Sequence, residues 1–238
     1  NDALLLDVIP LSLGLETYGG LAERIIDRNS TIPIARAQEF TTARDGQTGL
    51  VVHVVQGERE QVVDCRSLAR FELNGIPPMV AGAARIEVTF RVDADGILEV
   101  SAVEQQTGAR SEVVVKPAFG LDERDITDML KASYEFAAED MVARKLAEAG
   151  VEAEALLEGL RVAMAQDGDL LERDEAQTLD EGMARLEEVL QQADADAIRD
   201  NTEKLGRASE TFAARRMDRS IQSALQGISV GQLDAESS

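Results

Sequence analysis

The stretch EVVVKPAFGLDERDI, residues Glu112–Ile126, joins two kinds of sequence. Before it, β-branched runs dominate: LVVHVVQGERE (Leu50–Glu60), RIEVTFRVDADGILEVSAVE (Arg85–Glu104) and EVVVKP itself. Such runs, bounded by turn residues and lacking helical periodicity, read as short strands. Asp45-Gly46, Asp95-Gly96 and Thr107-Gly108 lie between apolar runs, where hairpin turns need positive φ. All five prolines fall at or before Pro117. Beyond it alanine, glutamate, leucine and arginine take over. Asp122 offers an N-cap and Asp125 a first-turn acid, and Ile126, Met129, Leu130, Ala137 and Met141 then recur at helical spacing. Further amphipathic segments run over Glu152–Met164, Asp174–Gln192 and Asp194–Leu225. The expected architecture is an α+β chain in two parts, an antiparallel β-sandwich of about eight strands followed by an α-helical bundle. The expected boundaries are 8–119 for the sandwich and 120–231 for the helices, with a disordered tail at 232–238.

Composition narrows the function. The 44% apolar content suits a globular core, and 45 acids against 24 bases give a formal charge of −21. The acids outnumber the bases 17 to 11 through Phe119 and 28 to 13 after it, so the excess is concentrated in the helices. A field of that sign repels phosphate backbones and anionic membrane surfaces, so neither nucleic acid nor membrane is expected as a partner. One cysteine, Cys65, makes no internal disulfide, and one histidine, His53, leaves only carboxylates for a metal, so no metal site is expected. No run approaches a transmembrane length, and the expected location is cytoplasmic.

The candidate chemistries are weak. Asp93-Ala94-Asp95-Gly96 begins like a calcium loop, but its glycine comes at the fourth position and Ile97 and Leu98 follow where ligands belong, so it reads as a turn. His53 lies within a strand with no nucleophile beside it and reads as packing. Asp64 beside Cys65 raises the thiol pKa, which marks a structural cysteine. Neither a Walker loop nor a GxGxxG is present, and no catalytic residue is assigned. Two features remain unexplained. Leu50, Val51, Val52, Val54 and Val55 do not alternate, so both faces of that strand must be covered, by the helical half or by an apolar ligand. Leu4, Leu5 and Leu6, pinned between Asp2 and Asp7, are neither a signal peptide nor a membrane span, and read as a contact surface whose partner lies upstream.

LLLDVIPLSLGLETYGG, NSTIPIARAQEFTTARDGQTG, VVQGERE, FELNGIPP, IEVTFRVDADGILEVSA and FGLDERDI, in that order, resemble the substrate-binding half of a DnaK-type chaperone of the heat-shock-70 family. RAQEFTT, VVDCRSLARFEL and FAARRMDRSIQSAL are similar to its HscA branch, which serves iron–sulfur cluster assembly. The resemblance implies a peptide groove in the sandwich and a helical lid opened by Asp122. Leu15, Phe40, Leu50, Val52, Ile86 and Val88 match the central apolar pocket, Tyr18 and Ala43 match the pair that arches over the peptide, and Thr17 lies in the same groove-forming segment. Residues 1–7 match an interdomain linker, with Leu4, Leu5, Leu6, Asp7, Arg28 and Asp95 as contacts to an ATPase domain. ATP and Mg would be bound in that domain and no cofactor in this chain, which is therefore not itself an enzyme. The implied partners are that domain, a J-domain co-chaperone (HscB-like) and a client peptide, the Leu-Pro-Pro-Val-Lys segment of the scaffold IscU. One departure stands out. Ala81 replaces the arginine that latches a DnaK lid, and Glu154 and Glu158 face it with no evident partner beyond Arg44.

Overall fold

The computed structural model describes residues 8–235, with side chains through residue 225. The linker residues Leu4, Leu5, Leu6 and Asp7 lie outside the described residues. Two compact units form, Asn1–Arg144 and Lys145–Ser238.

The first unit is a sandwich of two antiparallel four-stranded sheets. Its strands are β1 (Leu13–Thr17), β2 (Leu21–Ile26), β3 (Ile34–Phe40), β4 (Gly49–Gln56), β5 (Arg66–Asn74), β6 (Ile86–Val92), β7 (Leu98–Glu104) and β8 (Arg110–Val115). One sheet has the order β2-β1-β4-β5 and the other β3-β6-β7-β8. The inner faces interdigitate through Leu13, Val54, Leu73, Ile86, Phe90, Leu98 and Val100, all fully buried. In β6 the pattern alternates strictly, with Ile86, Val88, Phe90 and Val92 inward and the residues between them more exposed. That is the signature of a strand with one covered face.

The β6–β7 connection is a tight turn. Gly96 takes φ 76° and the Asp93 carboxylate accepts from the N–H groups of Asp95 and Ile97. Thr107-Gly108 turns β7 into β8, with Gly108 at φ 72°. Asp45-Gly46 differs from expectation. Gly46 does take φ 69°, but β3 and β4 belong to opposite sheets, so the segment is a crossover between sheets and makes no hairpin.

Helix α1 (Glu123–Glu135) starts at Asp122 with a capping box: its carboxylate accepts from the Arg124 and Asp125 N–H groups, and Asp125 returns a bond to the Asp122 N–H. Helix α2 (Ala137–Asp167) follows. The compact units divide at residue 144, whereas the change of sequence grammar comes near residue 120. The reason is an ionic anchor on the β4–β5 connection. Arg59 grips Asp140 through two bonds, 2.7 Å from Nε and 2.8 Å from Nη2, and Arg144 reaches Glu60 at 2.6 Å. Arg59 also lies over the Phe136 ring, 4.7 Å from its centroid.

The second unit packs the rest of α2 with α3 (Arg173–Leu190) and α4 (Ala195–Ala235), which includes residues 232–235 assigned above to a tail. Ala149, Ala153, Leu157 and Leu160 of α2, Leu179 and Leu186 of α3, and Ile198, Leu205 and Phe212 of α4 form its core. Their spacing of three, four and seven is that of one buried helix stripe each. A side chain on Gly182 would meet Leu205 Cδ1 at 2.9 Å, so α3 and α4 approach closely there.

Candidate peptide-binding site

Strand β1 pairs with β4 over only three residues, Leu13↔Gln56, Gly14↔Val55 and Leu15↔Val54. Beyond Leu15 the ladder stops, although β4 continues back to Gly49 and β1 runs on to Thr17. The two strands splay, and the inner edges of Glu16–Thr17 and of Leu50–His53 face each other without a ladder between them. Each strand stays in place because its other edge is paired, β1 with β2 and β4 with β5. Unpaired strand edges invite a further extended chain.

A cavity of about 740 Å³ occupies this opening. Of the nine residues nominated for a peptide groove, Leu15, Thr17, Tyr18, Phe40, Leu50, Val52 and Val88 line it. Leu15, Val52 and Val88 form the buried floor, while Phe40 and Leu50 are half-buried. Ile86 sits below the lining, fully buried and paired with Phe40 across β3 and β6. Ala43 is not among the lining residues. The structure nevertheless brings it to Tyr18. Burial pushes the Tyr18 hydroxyl up, against the opposing pull of the Ala43 backbone N–H and the Arg44 guanidinium. Tyr18 stays half exposed among the lining residues.

The missing alternation in β4 has a different cause from a binding site on its second face. Leu50 and Val52 share a face with Val54, toward the inter-sheet core, so the cavity is the open end of the core itself. The second face is covered piecewise. Val55 packs on Ala22 and Val62, while Val51 remains 54% exposed. His53 between them is buried and fully bonded, Nδ1 at 2.6 Å from Glu16 Oε2 and Nε2 at 2.8 Å from Ser67 Oγ. Packing is therefore the right reading of this histidine, but with a consequence the sequence did not suggest: the Glu16–His53 pair bridges β1 and β4 where their backbones have parted.

The rim carries four charged residues missed in the sequence. Glu16 and Arg70 lie on one side, 3.8 Å apart, and Glu39 and Arg85 on the other, at 2.7 Å. Their signs cancel. No sequence signal finds them, because each pair joins residues far apart in the chain.

The remaining nominated residues lie elsewhere. Asp95 is exposed in the β6–β7 turn. Arg28 is half-buried, its N–H bonded to Ser12 Oγ and its guanidinium to the Tyr134 hydroxyl at 3.2 Å. The structure shows no contact joining the two. Ala81 is exposed, with its N–H on Asp45 Oδ1 at 2.8 Å, and Glu158 has a partner in Arg161 of its own helix at 3.9 Å. The Cys65 thiol is pushed up to about 11, chiefly by burial, with Asp64 adding to the shift. Among the described residues no group of three or more histidines, cysteines or acids is arranged to hold a metal, and no helix is long and apolar enough to cross a membrane.

A profile of the family described as Hsp70 protein matches residues 1–218. The chain belongs to the Hsp70 family. Its relatives include proteins named chaperone protein HscA homolog. That of Methylobacillus flagellatus is 60% identical over 235 residues, covering 98% of this chain and 38% of the relative. Those of Neisseria meningitidis serogroup B and Shewanella loihica are 60% and 58% identical, over 97% and 98% of the chain. The chain thus spans well under half the length of these Hsp70 relatives.

Proposed function

We propose that this chain is the client-binding part of an HscA-type Hsp70 chaperone, and that the cavity between β1 and β4 holds a short extended apolar peptide. The observation that carries this reading is the early end of the β1–β4 ladder, which leaves two strand edges open above a floor of Leu15, Val52 and Val88. Open edges supply main-chain hydrogen bonds, and the floor selects one inserted apolar side chain. Tyr18 and Ala43 arch over the bound backbone.

The client is the Leu-Pro-Pro-Val-Lys segment of the iron–sulfur scaffold IscU, delivered by an HscB-like J-domain co-chaperone. A proline-rich segment is already extended and loses little conformational entropy on entering such a groove. ATP and Mg act in the remainder of the protein, where hydrolysis changes client affinity through residues 1–7, Arg28 and Asp95. That coupling must be reciprocal. Titration of this chain with a fluorescent Leu-Pro-Pro-Val-Lys peptide and with a leucine-rich peptide tests the reading. Preference for the first supports it. Equal or tighter binding of the second assigns the chain to general, DnaK-type clients, and no binding of either refutes the groove.

A further inference from the structure

Helix α1 has little to hold it by packing alone. None of its residues is fully buried. At its start Leu121 and Ile126 line a cavity of about 650 Å³, whose other walls include Ile9, Leu13 and Val92 of the sandwich. A helix that buries no side chain completely and borders a void gains little from apolar contact. Polar bonds must fix its place. Arg59 and Arg144 hold the beginning of α2, beyond its far end.

Its near end depends on Arg66, the first residue of β5. Arg66 Nη1 donates to the Pro117 carbonyl at 2.6 Å and to Gln56 Oε1 at 3.1 Å, and Nη2 donates to the Phe119 carbonyl. Pro117 and Phe119 lie in the connection from β8 to α1. Turns in that connection use the carbonyls of Lys116 and Ala118, which accept from Phe119 and Leu121 at 3.0 and 3.2 Å. The carbonyls they leave over at Pro117 and Phe119 both go to Arg66. One guanidinium can serve both because its N–H donors are fixed in a planar fork.

Two observations set this arrangement apart from an ordinary surface arginine. In a chain of charge −21, Arg66 makes no ion pair among the described residues, and its bonds go to neutral oxygens alone. Gln56, 1% exposed on the inner face of β4, leaves its Nε2 bonded to nothing. Exchanging the amide atoms gives no relief, because two donors would then face each other. A leucine would fill this apolar core without an orphan donor, so what the amide adds is its bond to Arg66. We infer that Arg66 is the positioning residue for α1: supported by Gln56, it holds two carbonyls of the lead-in and so sets the direction in which the helix leaves the sandwich. Gln56 shares the inner face of β4 with Leu50 and Val52, so the strand that lines the groove at one end supports the clasp at the other. The consequence for clients rests on the reading proposed above: with the clasp open, the helical lid loses its root and a bound peptide leaves sooner. The seating of α1 does not rest on that reading.

The test uses the whole chain with Arg66→Met, Arg66→Lys and Gln56→Leu. Hydrogen exchange, read residue by residue, compares the amides of α1 with the ladder amides of β6 and β7, which Arg66 does not touch. Arg66→Met is expected to speed exchange in α1 by about 10- to 100-fold, the worth of one charge-assisted bond, and to leave β6 and β7 unchanged. Arg66→Lys keeps the charge but not the fork, and restores part of the protection. Gln56→Leu speeds exchange in α1 while the urea midpoint holds or rises, a combination that a merely structural amide would not give. Parent-like rates in α1 of Arg66→Met overturn the inference, as does a rise shared equally by β6 and β7, or an Arg66→Lys chain that exchanges as fast as Arg66→Met. Dissociation of the fluorescent Leu-Pro-Pro-Val-Lys peptide, timed in the same variants, is expected to quicken from parent to Arg66→Lys to Arg66→Met. Unchanged dissociation alongside faster α1 exchange overturns the consequence for clients. A parent chain that binds no peptide refutes the groove, and the exchange rates still decide the role of Arg66.

Discussion

Leu50→Asp separates the groove from the fold because of where Leu50 stands on β4. Val52, two residues further in, is 3% exposed and belongs to the inter-sheet core, so a charge there destroys the sandwich and says nothing about ligands. Leu50 is half-buried at the cavity mouth, opposite Leu73, where a carboxylate can turn to water. The cost to the fold is small. The cost to binding is not, since an apolar client side chain inserted at this point loses its contact surface and meets a charge. Burial of one such side chain is worth about 1.5–3 kcal/mol. The dissociation constant should therefore rise about 10- to 150-fold. Fluorescence anisotropy with the labelled Leu-Pro-Pro-Val-Lys peptide measures it, and thermal unfolding by circular dichroism checks the fold. A variant with the parent's melting temperature and the parent's affinity would refute the placement of the client in this cavity.

Arg59→Ala should destabilise the first unit by about 3–5 kcal/mol in urea, since it leaves the buried Asp140 carboxylate with only the Glu60 N–H; adding Asp140→Asn should restore part of the loss. Asp140 is held below the usual carboxylate range by its bonds to Arg59, and Glu104 by the Thr107 N–H and hydroxyl. A depressed folded pKa gives stability that is full above the unfolded value and lost as pH falls through the folded one, so the melting temperature should hold from neutrality to about pH 4 and drop below it. With its thiol at about 11, Cys65 should be alkylated at pH 8 far more slowly than free cysteine, and unfolding in urea should remove the difference. Because Glu16, Arg70, Glu39 and Arg85 cancel at the rim, any preference for the client lysine must come from the wider field of charge −21. Its advantage over a Lys-to-Glu peptide should shrink from 50 mM to 500 mM salt, and a salt-independent preference would point to a direct contact instead.

What the sequence revealed of the fold follows the range of the interactions. The Asp122 cap, the Asp95-Gly96 turn and the one-face burial of α3 and α4 depend on residues within a few positions of one another, and each was legible. Asp45-Gly46 was misread because the local demand, positive φ at Gly46, is the same for a hairpin and a crossover. Which sheet β4 joins is settled by its long-range pairing with β1 and β5. The division at residue 144 was equally hidden, since Arg59 and Asp140 are 81 positions apart and Asp140 belongs to no motif. A change of composition marks where helices begin, not where a compact unit ends.

The groove shows the same limit in another form. Family resemblance supplied Leu15, Leu50, Val52 and Val88, and the runs of valine in β4 supplied a reason to look there. The geometry differs from that reason, because missing alternation was read as a second face covered by the helical half or by an apolar ligand. That face is instead covered in part, by Val62, Ala22 and the Glu16–His53–Ser67 bonds, and Val51 on it stays 54% exposed. Glu16 and His53 join β1 and β4 side chain to side chain just past the last rung of their ladder, where the backbones no longer bond. A buried, doubly bonded histidine inside a valine run thus marks where that ladder ends.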